Sequence, residues 1–272
     1  MDDAERSSRP IGVFDSGVGG LTVVAALMRR LPGESILYLG DTARLPYGTK
    51  SVDTVRRYTE RNIEFLRRRG VKGIVVACNT ASALALDEHP EDLLPVWGVI
   101  EPGAEAAVRA SRGKIGVLAT ESTIRSGAYS AAIQRRGGSS IEVVGQPCPL
   151  FVPLVEEGWS DDPVTEEVAR RYLAPLLEAG VDTLVLGCTH YPALAGLLAR
   201  LVGPDVTLVD SAEVVAQRIE QGLARRGVLA DGSGVRHHFC VTDLAERFQR
   251  IADELLTREP GTDGWSLELV EV

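Results

Sequence analysis

Two cysteines of this 272-residue chain stand in near-identical surroundings. Gly70-Val71-x-x-Ile74-Val75-Val76-Ala77-Cys78 matches Gly180-Val181-x-x-Leu184-Val185-Leu186-Gly187-Cys188 at an offset of 110 residues, and Ala83-Leu84 and Ala193-Leu194 keep the register. Each thiol follows a run with the length and β-branched content of a buried strand, and each leads a small polar turn, Asn79-Thr80 or Thr189-His190, into a helical pattern. That places both sulfurs at carboxyl ends of parallel strands, the ligand-binding edge of an open α/β sheet. A helix N-terminus there favours thiolate over thiol. A lone cysteine is usually a small buried hydrophobe. Two at equivalent positions, each with polar followers, point instead to chemistry, whereas Cys148 and Cys240 lack such surroundings and read as structural.

If the halves carrying the two thiols face one another, their strand ends converge on one cleft and offer similar groups to opposite faces of one ligand. Such a pair suits stereoinversion, in which one group removes a proton from carbon while its counterpart returns one on the far side. A thiol titrates nearer neutrality than an unperturbed carboxylate or guanidinium and can fill either part. A disulfide-forming pair would leave a similar trace in the sequence. Other polar turns accompany the cysteines. Asp15-Ser16-Gly17-Val18-Gly19-Gly20 is a glycine-rich turn whose N–H groups could hold a carboxylate or phosphate. Thr22 stands where a dinucleotide fingerprint has its third glycine, and no P-loop lysine follows. Asp15 reads as an orienting group, a base or an N-cap. Pro46-Tyr47-Gly48, after an acidic turn at Asp41, reads as a source of backbone donors or as a plain loop.

The elements that position these turns alternate along the chain. Strands are expected at Ile11 to Phe14, Ser35 to Leu39, Gly73 to Ala77, Lys114 to Ala119, Ile141 to Val144 and Thr183 to Leu186. Helices are expected at Leu21 to Leu31, Val52 to Arg69, Ala81 to Leu86, Ile124 to Arg136, Pro163 to Ala179 and Leu194 to Val202. This order gives a doubly wound α/β fold with parallel sheets covered on both faces. Ile11-Gly12-Val13 also matches Ile115-Gly116-Val117 at 104 residues, and Ser35-Ile36 with Gly40 matches Ser140-Ile141 with Gly145 at 105. Three segments in one order indicate two copies of one unit, related by a pseudo-twofold, with a Pro- and Gly-containing junction at Pro95 to Gly103. From Asp210 onward nothing repeats: a helix is expected at Ala212 to Arg226, a strand at His238 to Val241, a helix at Leu244 to Leu256 N-capped by Asp243, and a strand near Leu267 to Val270.

Composition limits the alternatives. Hydrophobic residues make up 44% and charged residues 25%, as in soluble globular chains. The net charge of −9 disfavours nucleic acid and anionic membrane surfaces as partners. No stretch approaches the roughly 18 apolar residues of a membrane span, and Met1 to Pro10 has no apolar leader core, so a cytoplasmic protein with reduced thiols is expected. The four cysteines show no metal-binding spacing, so no metal is expected. Only three lysines are present, Lys50, Lys72 and Lys114, none within a recognisable Schiff-base motif.

The motifs F-D-S-G-V-G-G-L-T, L-P-Y-G-T-K-S, A-C-N-T-A-S-A, F-V-P-L-V-E-E-G and G-C-T-H-Y-P together resemble the glutamate racemases of the aspartate/glutamate racemase superfamily, over Ile11 to about Val241. The resemblance implies interconversion of L- and D-glutamate without a cofactor, feeding peptidoglycan synthesis. It implies that Cys78 and Cys188 are the acid/base thiols, that Asp15 assists Cys78, and that His190 and Glu156 assist at Cys188. Ser16, Tyr47, Gly48, Asn79, Thr80, Thr120, Thr123 and Thr189, with Asp15 and His190, would bind the amino acid. It also implies that the C-terminal segment returns to the first unit, giving domains 1–97 plus 211–272 and 98–210 with the active site between them. A homodimer is the expected assembly. DNA gyrase, a reported partner of some members, finds neither support nor exclusion in these residues. The competing readings are aspartate racemisation, another cysteine-dependent isomerase or lyase, and a non-catalytic ligand-binding or regulatory protein.

Overall fold

A computed structural model describes residues 3–86, 94–243, 245–256 and 265–272. The chain divides into two compact units, Met1–Val99 with Ala212–Val272, and Ile100–Ser211. In the first unit, β1 (Ile11–Asp15), β2 (Ile36–Gly40), β3 (Gly73–Val76) and β4 (Val96–Gly98) pair with β9 (His237–Val241) and β10 (Trp265–Leu269) in one parallel sheet of order β10-β9-β2-β1-β3-β4. The second holds β5 (Lys114–Ala119), β6 (Glu142–Pro147), β7 (Thr183–Gly187) and β8 (Thr207–Val209) in the order β6-β5-β7-β8. The non-repeating C-terminal segment therefore extends the sheet of the first unit. Among the described residues no helix is long and apolar enough to cross a membrane.

Both faces of the first sheet are buried at β1, β2 and β3, which is why these strands read as continuous apolar runs. Ile11, Val13, Ile36, Tyr38 and Val75 pack on one face with helices Leu21–Arg30 and Ala212–Arg225; Phe14, Leu37, Leu39, Ile74 and Val76 pack on the other with Val55, Ile63 and Leu66 of helix Val52–Arg68. In the second unit Leu118, Leu184 and Leu186 pack with Leu173, Leu176 and Leu198, while helix Ile100–Ala110 lies against β7 and β8.

The duplication extends to the packing of single residues. The partner of Ile11 in β3 is Gly73 and that of Ile115 in β7 is Thr183, as the offsets of 104 and 110 require. A Cβ on Gly12 would lie 3.0 Å from Val71 and 3.3 Å from Leu66; one on Gly116 would meet the counterparts Val181 and Leu176 at 3.4 Å. Gly70 and Gly180 both take φ +74° at the helix-to-strand corner, a conformation open mainly to glycine. The third sequence match is displaced. Ile11 pairs with Ile36 and Ile115 with Val143, so the counterpart of Ile36 is Val143 rather than Ile141, and that of Gly40 is Pro147 rather than Gly145. A two-residue slip keeps every side chain on its face, so strand texture alone does not detect it.

Two other expectations change. Gly127, at φ +69°, divides the expected Ile124 to Arg136 helix into Glu121–Ser126 and Ala128–Gly137. The Pro95 to Gly103 junction contains β4 and the start of helix Ile100–Ala110. Pro102 lies in the first turn of that helix, where no intrahelical N–H bond is lost. Asp243 precedes helix Ala245–Leu256, whose cap position falls outside the described residues.

Lys72 has a structural part. Its ammonium group is buried, ion-paired with the equally buried Glu34, and donates to the carbonyls of Ser7 at 2.7 Å and Val228 at 2.9 Å. Glu34 in turn accepts the Ala230 N–H at 2.9 Å. Lys72→Met should destabilise the first unit by about 3–5 kcal/mol in urea unfolding, because it strands a buried carboxylate, and adding Glu34→Gln should recover part of that loss.

Candidate active site

The carboxyl ends of β1, β2 and β3 bring three polar turns of the first unit to one edge. Asp15, the fully buried last residue of β1, accepts the Gly17 N–H at 2.9 Å and so curls the glycine-rich turn over its own carboxylate. Tyr38, from β2, donates its hydroxyl to the Gly17 carbonyl at 2.9 Å. The turn needs its glycines: a Cβ on Gly20 would lie 2.5 Å from the Asp15 Cβ, and one on Gly40 would lie 2.7 Å from the Gly17 oxygen. Beside it Cys78 caps helix Asn79–Ala85, and its thiol lies 3.4 Å from the Ser16 hydroxyl. Asn79 and Thr80 open that helix and are buried.

The Tyr47–Thr49 turn packs against the same helix. The Tyr47 hydroxyl donates to the Asp41 carboxylate and accepts Asn62 Nδ2 at 3.0 Å. Asp41 also takes Arg44 Nε at 2.8 Å and the Thr242 hydroxyl at 3.2 Å. That side chain therefore fastens the turn carrying the buried Gly48 to the body of the unit.

In the second unit the same edge carries a different set. Thr120 follows β5 and caps helix Glu121–Ser126, its Oγ1 3.4 Å from the Thr123 N–H and 2.9 Å from the Thr123 hydroxyl. Cys188 follows β7, with its Sγ 3.9 Å from His190 Nδ1, and His190 Nε2 lies 3.2 Å from Glu156 Oε1. Thiol, imidazole and carboxylate thus form a chain of contacts, the kind of arrangement in which a carboxylate can orient a ring and a ring can exchange a proton with sulfur. Glu156 ends the short helix Phe151–Glu156, which is anchored by Phe151 wedged edge-on against Tyr172 and Tyr191, with ring centroids at 5.1 and 5.2 Å.

The edges correspond position by position: Ser16 with Thr120, Cys78 with Cys188, Asn79 with Thr189, Thr80 with His190, and Asp41 with Cys148. All four cysteines are free, but Cys78 and Cys188 retain 5% and 7% exposure while Cys148 and Cys240 are fully enclosed. Burial, together with the Cys188 charge, pushes the Cys148 thiol far up and keeps it protonated. Buried tyrosines flank both candidate thiols. Burial, then the Asp15 and Cys78 charges, raise Tyr38; burial, then Asp41, raise Tyr47; burial, then Asp210 and Cys188, raise Tyr129. All three phenols stay neutral beside any thiolate that forms. Tyr38 and Asn62 escape a reading of the sequence because only tertiary packing brings them to the edge.

The Asp/Glu/Hydantoin racemase family model matches residues 16–219. A glutamate racemase of Geobacter metallireducens is 51% identical over 254 residues, covering 91% of this chain and 93% of the relative. Glutamate racemase isoform RacE1 from Bacillus anthracis superposes with a TM-score of 0.91 at 40% identity, covering 98% of both chains. A Francisella tularensis glutamate racemase, solved in complex with D-glutamate, gives 0.89 at 38% identity, covering 97% of this chain and 98% of that one. The chain belongs to the Asp/Glu/Hydantoin racemase family and is an amino-acid racemase. Within that family, each of these three relatives is a glutamate racemase.

Tyr38→Phe isolates one support of the glycine-rich turn. It leaves the Gly17 carbonyl without its buried donor, and a loss of about 1–3 kcal/mol in unfolding free energy is expected. A rise in the KM of racemisation should accompany it, measured by polarimetry on the folded variant.

Proposed function

We propose that this racemase interconverts L- and D-glutamate by a two-base mechanism in which Cys78 and Cys188 act on opposite faces of Cα. The observation that carries the reading is the equivalence of the two sulfurs: each follows the same duplicated strand, is followed by polar residues at the sheet edge, and keeps slight exposure where the other thiols have none. The reading requires both thiols to reach one substrate carbon. The glutamate preference rests on the relatives, one of which was solved with D-glutamate.

In this mechanism Cys78 works beside Ser16 and the buried Asp15, and Cys188 works with the His190–Glu156 pair. In one direction a thiolate takes the Cα proton while the opposite thiol delivers one; in reverse the parts exchange, so each thiol must be held ready in either state. Ser16, Gly48, Asn79, Thr80, Thr120, Thr123 and Thr189 would supply hydrogen-bonding partners for the two carboxylates and the ammonium group. Such contacts stabilise carbanion character by fixed dipoles and retained charge. Two of the three lysines are engaged elsewhere: Lys72 is paired with Glu34, and Lys114 reaches the Ala179 carbonyl at 2.7 Å and Glu142 at 2.8 Å. The product, D-glutamate, suits supply of peptidoglycan synthesis in the cytoplasm.

The purified protein without added cofactor should bring solutions of either glutamate enantiomer to zero circular dichroism, and should leave aspartate almost unchanged. Cys78→Ser and Cys188→Ser should each lower racemisation by about 10²–10⁴-fold with the fold intact. Wild-type turnover by either single variant would refute the two-thiol mechanism.

A further inference from the structure

A second cysteine-containing cluster lies on the edge strand β10 and its neighbour β9 in the first unit, and the racemase chemistry does not use it. β9 and β10 are parallel, with Cys240 opposite Glu268 and His238 opposite Ser266, so the four side chains share one face of the sheet. His238 Nε2 lies 2.8 Å from Glu268 Oε2 and Cys240 Sγ lies 3.9 Å from the same oxygen; the three donor atoms fall within 4.8 Å of one another. Around a tetrahedral zinc ion, bonds of about 2.0–2.3 Å set neighbouring donors roughly 3.3–3.7 Å apart. The two contacts bracket that range, and the histidine–cysteine pair, within 4.8 Å, must close toward it as an ion enters.

We propose that His238, Cys240 and Glu268 form a three-ligand site for one thiophilic divalent cation of the zinc type, with water completing the shell.

Two features support it. The His238 Nδ1 lies 2.6 Å from the Ser266 hydroxyl, the kind of outer hydrogen bond that orients a ligating imidazole. Both donors beside the enclosed thiol are part-exposed, at 35% for the His238 side chain and 42% for Glu268, which gives an ion a way in. One group opposes the cation. Arg69, stacked on Phe65, binds both Glu268 oxygens at 3.0 Å, and its Nη1 holds the oxygen that the ion must take. Metal and guanidinium therefore compete for Oε2.

Cadmium titration of the full-length protein, followed by the ultraviolet thiolate-to-metal charge-transfer band, tests this. Cys240→Ser should lose one equivalent of that band relative to wild type. His238→Ala should weaken that equivalent about tenfold or more, and Arg69→Met should tighten it, because a competing cation is gone. Zinc should displace the bound cadmium with loss of the band. A Cys240→Ser titration that superimposes on wild type would overturn the proposal, as would unchanged affinity in both His238→Ala and Arg69→Met.

Discussion

Parallel pairing is the constraint on which the chemistry of this protein depends. In each sheet every described strand runs the same way, so all strands finish at one edge and each must turn there into a helix or loop. The interiors of β1, β2 and β3 are sealed between helices and carry mainly apolar side chains. At the edge, turn N–H groups and helix starts leave donors that polar residues can meet. Asp15, Ser16 and Cys78 in one unit, and Thr120, Cys188 and His190 in the other, are there because the ladder ends there. Duplication of the unit then yields a second thiol in the same setting as the first.

The two thiols follow equivalent strands but differ in what comes next: Cys78 directly precedes the α-helix Asn79–Ala85, whereas Cys188 leads through a turn into the 3-10 helix Tyr191–Leu194, and the chemistry differs as well. Cys78 has a hydroxyl neighbour and a buried carboxylate on the adjoining strand, whereas Cys188 has an imidazole backed by a carboxylate. Position 80 is threonine where position 190 is histidine, so one residue replaced within the duplicated turn accounts for much of the difference. The neutral tyrosines beside both thiols add dipoles without adding a competing charge.

The fold was legible because a doubly covered sheet writes itself as apolar runs, and the polar residue types that follow them stand out. The cysteine turns were legible for the same reason, and the β1–β3 register of the duplication survives at atomic detail in Gly12 and Gly116. The β2–β6 match slipped by two residues because alternating strand texture looks the same after any even shift. Tyr38 and Asn62 left no local signal, since Tyr38 lies within a buried apolar strand and Asn62 on the packed face of an amphipathic helix. Glu156 came only from the resemblance; its helix is a single short segment whose place is set by stacking of Phe151 on Tyr172 and Tyr191.

The claim at the centre of this account is that each face of the substrate carbon has its own thiol. Initial-rate racemisation in heavy water, read by proton NMR at Cα and run from each enantiomer, addresses it directly. Two separate bases predict that newly formed product carries deuterium at Cα while unreacted substrate keeps its proton. Product that retains the substrate's own proton would mean that one group serves both faces, and would contradict the account.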